Sequence, residues 1–502
     1  MEQHPAIAEL ISETRKIGRL GSALSLLGWD QETLMPGGGA PGRAEAIGEL
    51  TEIVHRLSSS AEYGDRISAA EDALGEATGD HVPALVREVR RSYERNCKVP
   101  AELAEEIART SSESLAAWKE ARTKNEFSIF EPFLEKMFSL RRREAEAIGG
   151  KDDLYDILLD EYEPGCSCAE IERCIAAVKP ALVELLGEIG AKSQAAPRHF
   201  LEGAFTREQQ EAFARHVIGA IGFDFDRGRV DVSAHPFCSG IHSPGDVRLT
   251  TRYADDNMEM ALFGLMHEAG HGIYEQGLDP EWRGTPVGSA VSMGIHESQS
   301  RLYENMVGRG RSFWNYFYPA LEEHYGDRFD GVSLDEFLRA INRVEASLIR
   351  VEADEVTYNL HIMLRFEVER ALLAGDLAPR DLPGLWNEKS KAFLGLEPPS
   401  DSDGCLQDIH WSFGAVGYFP TYFLGNLYAA QFYRAASETI PDLEGKISKG
   451  ELAPLREWLG TNVHQPGSVY PAPELCERVT GKPLDPQVFL DYLTNKMRDI
   501  HG

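Results

Sequence analysis

Apolar residues recur at three- and four-residue steps along most of this chain, the spacing that gathers them on one face of an α-helix. Ile7, Leu10, Ile11, Ile17, Leu20, Leu24 and Leu27 draw the first such stripe, with Pro5 placed to start it. The run Leu34 to Gly42, with Pro36, Pro41 and three consecutive glycines, breaks the pattern. A second stripe resumes through Ile47, Leu50, Ile53, Val54 and Leu57. Trp29 and Asp30 fall at the junction and read as a packed aromatic and a cap. Pro83 and Pro100 open further helices, and Phe130 to Ile148 carries another whose Arg141, Arg142 and Arg143 read as a solvated face. After a break at Tyr162 to Ser167, a helical run extends from Ala169 to about Gly190.

The pattern changes after Pro197. Arg229 to Ser233 alternates like a short strand, and Asp246 to Tyr253 reads as a second, so the two are expected to pair in a small sheet. Such a sheet could offer an edge to an extended peptide. A strong helix follows, in which Asp256 and Glu259 form a capping-box pattern. Met258, Leu262, Leu265, Met266 and Ile273 keep the helical step, and Gly277 supplies a stop. Gly277 to Gly294 reads as a loop, a helix returns with His296 and Glu297, and helical patterns cover Leu334 to Ala374. Pro398 to Gly404 is a candidate surface loop, followed by an aromatic cluster that includes Trp411, Tyr418 and Tyr422. The fold class is mostly α, with a small β-sheet near the helix that starts at Met258.

That helix carries His267-Glu268-Ala269-Gly270-His271. One turn separates the two histidines, so both imidazoles reach one ion from the same face while Glu268 stays beside it as a general base. A catalytic zinc takes three protein ligands and an open position, so the chain must supply a third. Glu297 is the best candidate, since the Gly-rich turn lets an antiparallel helix bring its carboxylate back; Glu275 and Glu304 are rivals. Gly270 and Gly272 each cost about 0.8 to 1 kcal/mol of helix propensity relative to alanine, which points to close packing.

Composition narrows the partners. With 51 basic and 81 acidic residues the formal charge is -30, which argues against a nucleic-acid surface and against an anionic membrane. No apolar run of about 18 residues or secretory pattern is present, so a cytoplasmic location is the expectation. Seven cysteines in 502 residues do not make a disulfide framework, and the close trio Cys166, Cys168 and Cys174 lacks structural-zinc spacing.

Several ordered motifs resemble peptidase family M32, the zinc metallocarboxypeptidases. Beside the His267 to His271 motif, Asp246 to Thr250 fits DxRxT and His296-Glu297-Ser298-Gln299 fits a second family segment. Ile349 to Asp354 fits IRxxAD, and Gly404 to Trp411 fits GxxQDxHW. Trp29-Asp30 and the region from Leu459 to Gly481 extend the likeness over nearly the whole chain.

The resemblance implies a single helical catalytic body over residues 1–502, divided by a long, deep active-site groove like that of neurolysin and angiotensin-converting peptidases. It implies one zinc ion per chain, with cobalt also compatible, held by His267, His271 and Glu297, and Glu268 as the base that deprotonates the attacking water. Arg350 would grip the substrate's C-terminal carboxylate, with Arg248 a second candidate; the structural alternative for Arg350 is an ion pair with Glu352 or Asp354. His410, with Tyr418 or Tyr422, would stabilise the oxyanion. Asp408 would orient a neighbour, and Asp354 would take the outer nitrogen of a ligand imidazole. The implied activity is release of single amino acids from peptides with a free C-terminal carboxylate, by a homodimer. An endo-acting zinc oligopeptidase and a noncatalytic metal- or peptide-binding helical protein are the rival readings.

Overall fold

The first apolar stripe folds as one helix, Pro5–Thr33, which runs past the end of its own pattern. This computed structural model describes residues 4–502. The chain divides into two compact units interleaved in sequence: the stretch up to Cys97 with Arg198–Leu334 and Phe432–Gly481, and Lys98–Pro197 with Asp335–Gln431 and Lys482–Gly502. No helix of the described residues is long and apolar enough to cross a membrane.

In the first unit, helix Pro5–Thr33 is followed by a glycine turn and helix Ala40–Ser58. Asp30 lies inside the first helix, so it does not cap it; its carboxylate pairs with Arg43 at 2.5 Å instead. Trp29 is buried, with the Arg248 guanidinium 4.3 Å from its ring. Ile7, Leu10, Ile67, Leu85 and Val86 form an apolar cluster that also takes in Val287 and Val469 from distant parts of the sequence.

The two expected strands do pair. β1 (Gly228–Val232) lies parallel to β3 (Val247–Thr251), with Gly228 opposite Val247 and Val232 opposite Thr251. Between them in sequence comes β2 (Cys238–Gly240), too short to leave an alternating signature, which pairs antiparallel with β3 so that the order is β1-β3-β2. The central strand β3 is mostly buried. Its Leu249 packs against the metal-site helix Met258–Gly277 at Gly272, where a Cβ would come within 2.9 Å of the leucine side chain.

In the second unit, helices Ala101–Lys124 and Phe127–Ile148 pack together across a tight turn at Asn125, whose φ of 52° is left-handed. Of the three arginines only Arg143 is solvated. Arg141 is buried between Glu144 and Glu161, and Arg142 donates to the carbonyls of Leu372 and Leu373. The long helix Cys168–Gln194 packs against the C-terminal helix Pro486–His501.

The helical pattern expected from Leu334 to Ala374 is broken at residues 342–357. Asp354 explains part of the break. Its carboxylate accepts from the backbone N–H groups of Val356, Thr357 and Glu345, which offers the backbone an alternative to helical bonding. The helix that follows, Tyr358–Ala374, is buried on nearly every side.

Candidate active site

The metal-site helix begins one residue later than the sequence pattern suggests. Asn257, not Asp256, is the cap, its side chain accepting from the Met260 N–H at 3.1 Å. Gly277 closes the helix, and Leu278 leaves it in an extended conformation. Inside it, Gly270 and Gly272 are there for close approach. A Cβ on Gly270 would lie 2.5 Å from the Gln299 carbonyl oxygen, so only glycine lets helix Met293–Arg301 press its backbone against this turn. Ser292 starts that second helix by accepting from the Ile295 N–H, which sets Glu297 on its buried side.

The contact brings His267, His271 and Glu297 together, with one potential ligand atom from each lying within 4.8 Å of the others. Glu297 Oε2 is 3.5 Å from His267 Nε2 and 3.4 Å from His271 Nε2. The opposite nitrogens are occupied. His267 Nδ1 meets Glu304 Oε2 at 2.9 Å, and His271 Nδ1 meets the His296 carbonyl at 3.0 Å. An ionised carboxylate and a carbonyl only accept, so both Nδ1 atoms carry the proton and both Nε2 lone pairs turn inward. Two imidazole lone pairs and a carboxylate oxygen at this spacing suit a divalent metal and are poorly matched to any neutral occupant.

Charge around the cluster is arranged in layers. Arg301 Nε donates to Glu297 Oε1 at 2.7 Å, and Arg301 Nη1 donates to Glu304 at 3.3 Å. Burial opposes ionisation of both acids, but Arg301 and the histidines outweigh it: Glu297 is held well below the usual carboxylate range and Glu304 at about 2. His271 is lowered to about 3 by burial and by His296, whose ring stacks on it at 4.2 Å, so it stays neutral and available as a ligand. Burial acts to lower His267 as well, but the Glu297 and Glu304 carboxylates raise it overall.

Glu268 is 7 % exposed and makes no side-chain hydrogen bond among the described residues. Burial raises its pKa to about 7, against an opposing effect of His267. A carboxyl poised near neutrality with open oxygens is suited to receive and return a proton.

The other predicted residues, Arg248 apart, lie in the second unit. Arg350, 6 % exposed, sends Nε and Nη2 to Asp408 Oδ1 at 3.0 and 2.9 Å and Nη1 to Tyr358 at 3.2 Å. Its ion pair is therefore with Asp408, not with Glu352 or Asp354. Gln407 holds the same segment, accepting the Arg350 N–H and donating to the Leu348 carbonyl. His410 lies in an aromatic enclosure, 5.4 Å from Tyr418, 4.6 Å from Phe419 and 6.4 Å from Tyr422. Burial and then Arg350 lower it to about 3, so the ring is neutral.

One assignment changes, and the alternatives find other partners. Asp354 does not take a ligand imidazole nitrogen: those places belong to Glu304 and the His296 carbonyl, while its own oxygens hold the turn at 342–357. Glu275 and Glu304, the rival ligands, stand one layer out. Glu275 meets His296 at 3.0 Å. Arg248 spends its charge on Asp246, at 2.8 and 3.0 Å, while lying over Trp29.

Sequence reasoning missed Arg365 and Glu369. Arg365 takes the second oxygen of Asp408, and Glu369 accepts from Tyr155, Trp411 and the Gly417 N–H. Both lie on the buried helix Tyr358–Ala374, and a charged residue amid its apolar run was the available signal.

A family profile described as carboxypeptidase Taq (M32) metallopeptidase matches residues 9–497. Thermostable carboxypeptidase 1 of Thermus thermophilus is 41% identical over 517 aligned residues, covering 100% of both chains. Carboxypeptidase 1 of Bacillus subtilis is 37% identical over 504, again covering 100% of both. The crystal structure of an M32 carboxypeptidase from Deinococcus radiodurans R1 superposes with a TM-score of 0.96 at 39% identity, covering 99% of this chain and 100% of that one. With a cluster fit to hold a divalent metal on a helical fold of the same topology, the chain belongs to the M32 family of metallopeptidases and is a metal-dependent carboxypeptidase.

Proposed function

We propose that this enzyme removes single amino acids from peptides that end in a free carboxylate, using one zinc ion per chain held by His267 Nε2, His271 Nε2 and Glu297. The observation that carries the reading is the convergence of those three ligand atoms beside a buried, unpaired Glu268. When bound there, zinc supplies Lewis acidity toward the scissile carbonyl, and cobalt would fit the same donors. Glu268 takes a proton from the attacking water and returns it to the leaving amine. His410, neutral and packed between Tyr418 and Phe419, donates to the developing oxyanion, with Tyr418 or Tyr422 sharing the task.

Arg350 receives the terminal carboxylate. Its bonds to Asp408 and Tyr358 use three of a guanidinium's five N–H groups, leaving one on each terminal nitrogen. A pair of N–H groups on one plane matches a carboxylate. Asp408 fixes the guanidinium for that purpose, and Arg248, already paired with Asp246, is the weaker alternative. The family likeness leads us to infer a homodimeric working form in the cytoplasm, and light scattering checks the assembly.

The test is mass spectrometry of a defined peptide and its C-terminally amidated twin, each with and without a chelator. Stepwise, chelator-sensitive loss of single residues from the free acid alone is the expected result. Internal cleavage of both peptides would favour an endo-acting oligopeptidase.

A further inference from the structure

The pairing of Arg350 with Asp408 would by itself be a neutral unit, and a second guanidinium changes that balance. Arg365, 0 % exposed, sends Nε to Asp408 Oδ2 at 2.6 Å, with Nη2 2.5 Å from the same oxygen and Nη1 donating to the His361 carbonyl at 2.8 Å. One carboxylate is therefore split between two buried guanidiniums, one on each oxygen.

Among the described residues no carboxylate other than Asp408 bonds to either guanidinium. His361 and His410 are neutral, each lowered to about 3 by burial and by the arginines. Glu369, one turn along from Arg365, feels that charge, but its oxygens go to Tyr155, Trp411 and Gly417 and burial raises its pKa to about 7, so it answers the excess only in part. Asp354 is occupied by Val356, Thr357 and Glu345. Trp386, at 4.8 Å from the Arg365 guanidinium, and Phe419 supply ring faces rather than a counter-charge. A buried charge without a full partner is costly, and it attracts an anion far more strongly than the same charge in water.

We propose that Arg365 gives the Arg350–Asp408 cluster an uncompensated positive charge and thereby makes it select an ionised C-terminal carboxylate over the neutral amide. This rests on the reading that Arg350 meets the substrate's carboxylate, and it assigns the selectivity to a residue that does not itself touch substrate. Arg350 supplies the fork; Arg365 prevents Asp408 from neutralising it. The bound carboxylate then restores balance, two cations facing two anions. A neutral amide leaves the excess in place.

The experiment compares wild type, Arg365→Gln, Arg365→Lys and Arg350→Ala, all zinc-loaded. Each is assayed on N-benzoyl-Ala-Leu and its amide, and for inhibition by 3-phenylpropionate and by its amide, probes with no peptide bond to cleave. Arg365→Gln keeps a donor toward Asp408 but drops the charge. It is expected to raise KM for the free acid and Ki for 3-phenylpropionate about tenfold or more, with kcat within about threefold and the amide's Ki unchanged.

Arg365→Lys, which restores the charge on a different shape, should recover most of that loss. A purely structural role would lower the folded, metal-loaded fraction without separating acid from amide. Should Arg365→Gln not fold, Arg365→Met supplies the neutral test.

Acid inhibition within about twofold of wild type in a folded, neutral Arg365 variant would overturn the proposal, as would equal losses in the lysine and glutamine variants. If Arg350→Ala abolishes discrimination while Arg365→Gln keeps it, only the Arg365 assignment fails. If wild type itself treats acid and amide alike, the carboxylate reading beneath it fails instead.

Discussion

Glu304 accepts the Nδ1 proton of His267 at 2.9 Å and is itself held by Arg301 at 3.3 Å, so the orientation of one imidazole in the cluster fit to hold a metal depends on a residue outside that cluster. It sits in the π-helical turn Leu302–Val307, which extends the helix bearing Glu297. Outer partners of this kind fix the tautomer, and their loss typically costs about 10–100-fold in metal affinity. Glu304→Ala is therefore expected to weaken zinc binding within that range while leaving the residue count of ligands intact. Competition with a chromophoric chelator measures it; unchanged affinity would remove Glu304 from the site.

Gly270 controls the distance between the two ligand-bearing helices. Alanine there would gain about 1 kcal/mol of helix propensity, but its Cβ would lie 2.5 Å from the Gln299 carbonyl, a backbone atom that cannot swing aside. Overpacking of this kind costs about 1–3 kcal/mol, so the clash wins. Gly270→Ala should lower both the thermal midpoint and the zinc content, read by calorimetry and by metal analysis of the same preparation. A raised midpoint would mean that the helices can separate freely.

The parts of this site that were legible in the sequence are those set by local spacing. His267 and His271 share a face because they are one turn apart, and Glu297 follows a turn that must reverse the chain. The cap shifted from Asp256 to Asn257 because either side chain can serve, and only the backbone geometry where the chain enters the helix chooses. Relationships between distant stretches were not legible. Nothing near Arg350 in sequence announces Asp408 as its partner, and the apolar run around Arg365 and Glu369 reads as core until their hydrogen bonds are seen. Arg141 and Arg142 misled for the same reason, since their acceptors Glu161, Leu372 and Leu373 come from elsewhere in the chain, while Arg143 is exposed as its run suggests.

In the proposed mechanism Glu268 supplies the proton transfer, and its carboxylate stands outside the His267, His271 and Glu297 cluster. Glu268→Gln keeps the shape and removes the basicity. General acid–base groups contribute about 10²–10⁴-fold, so kcat should fall by that factor while zinc content stays at one per chain. Paired activity and metal measurements decide it. Full activity would reject Glu268 as the base; lost zinc would recast it as a structural support of the ligands.

Glu369 makes a second, pH-linked prediction. Burial raises this carboxyl from 4.5 to about 7 despite its donors Tyr155, Trp411 and Gly417. A raised folded-state pKa means that the native state holds the proton more tightly than the unfolded chain between those values. The native state binds more protons there, so stability falls as pH rises. The contribution is fully present below about pH 4.5, declines through the window and is gone above about 7. Integrated over that window it amounts to about 3 kcal/mol. Glu369→Gln lacks a titrating group and so removes this slope. The wild-type thermal midpoint should therefore stand highest relative to the variant near about pH 5 and lose that advantage by about pH 8. Midpoints of both proteins measured across this range test it, and a difference that stays constant with pH would show that Glu369 titrates alike in the folded and unfolded chain.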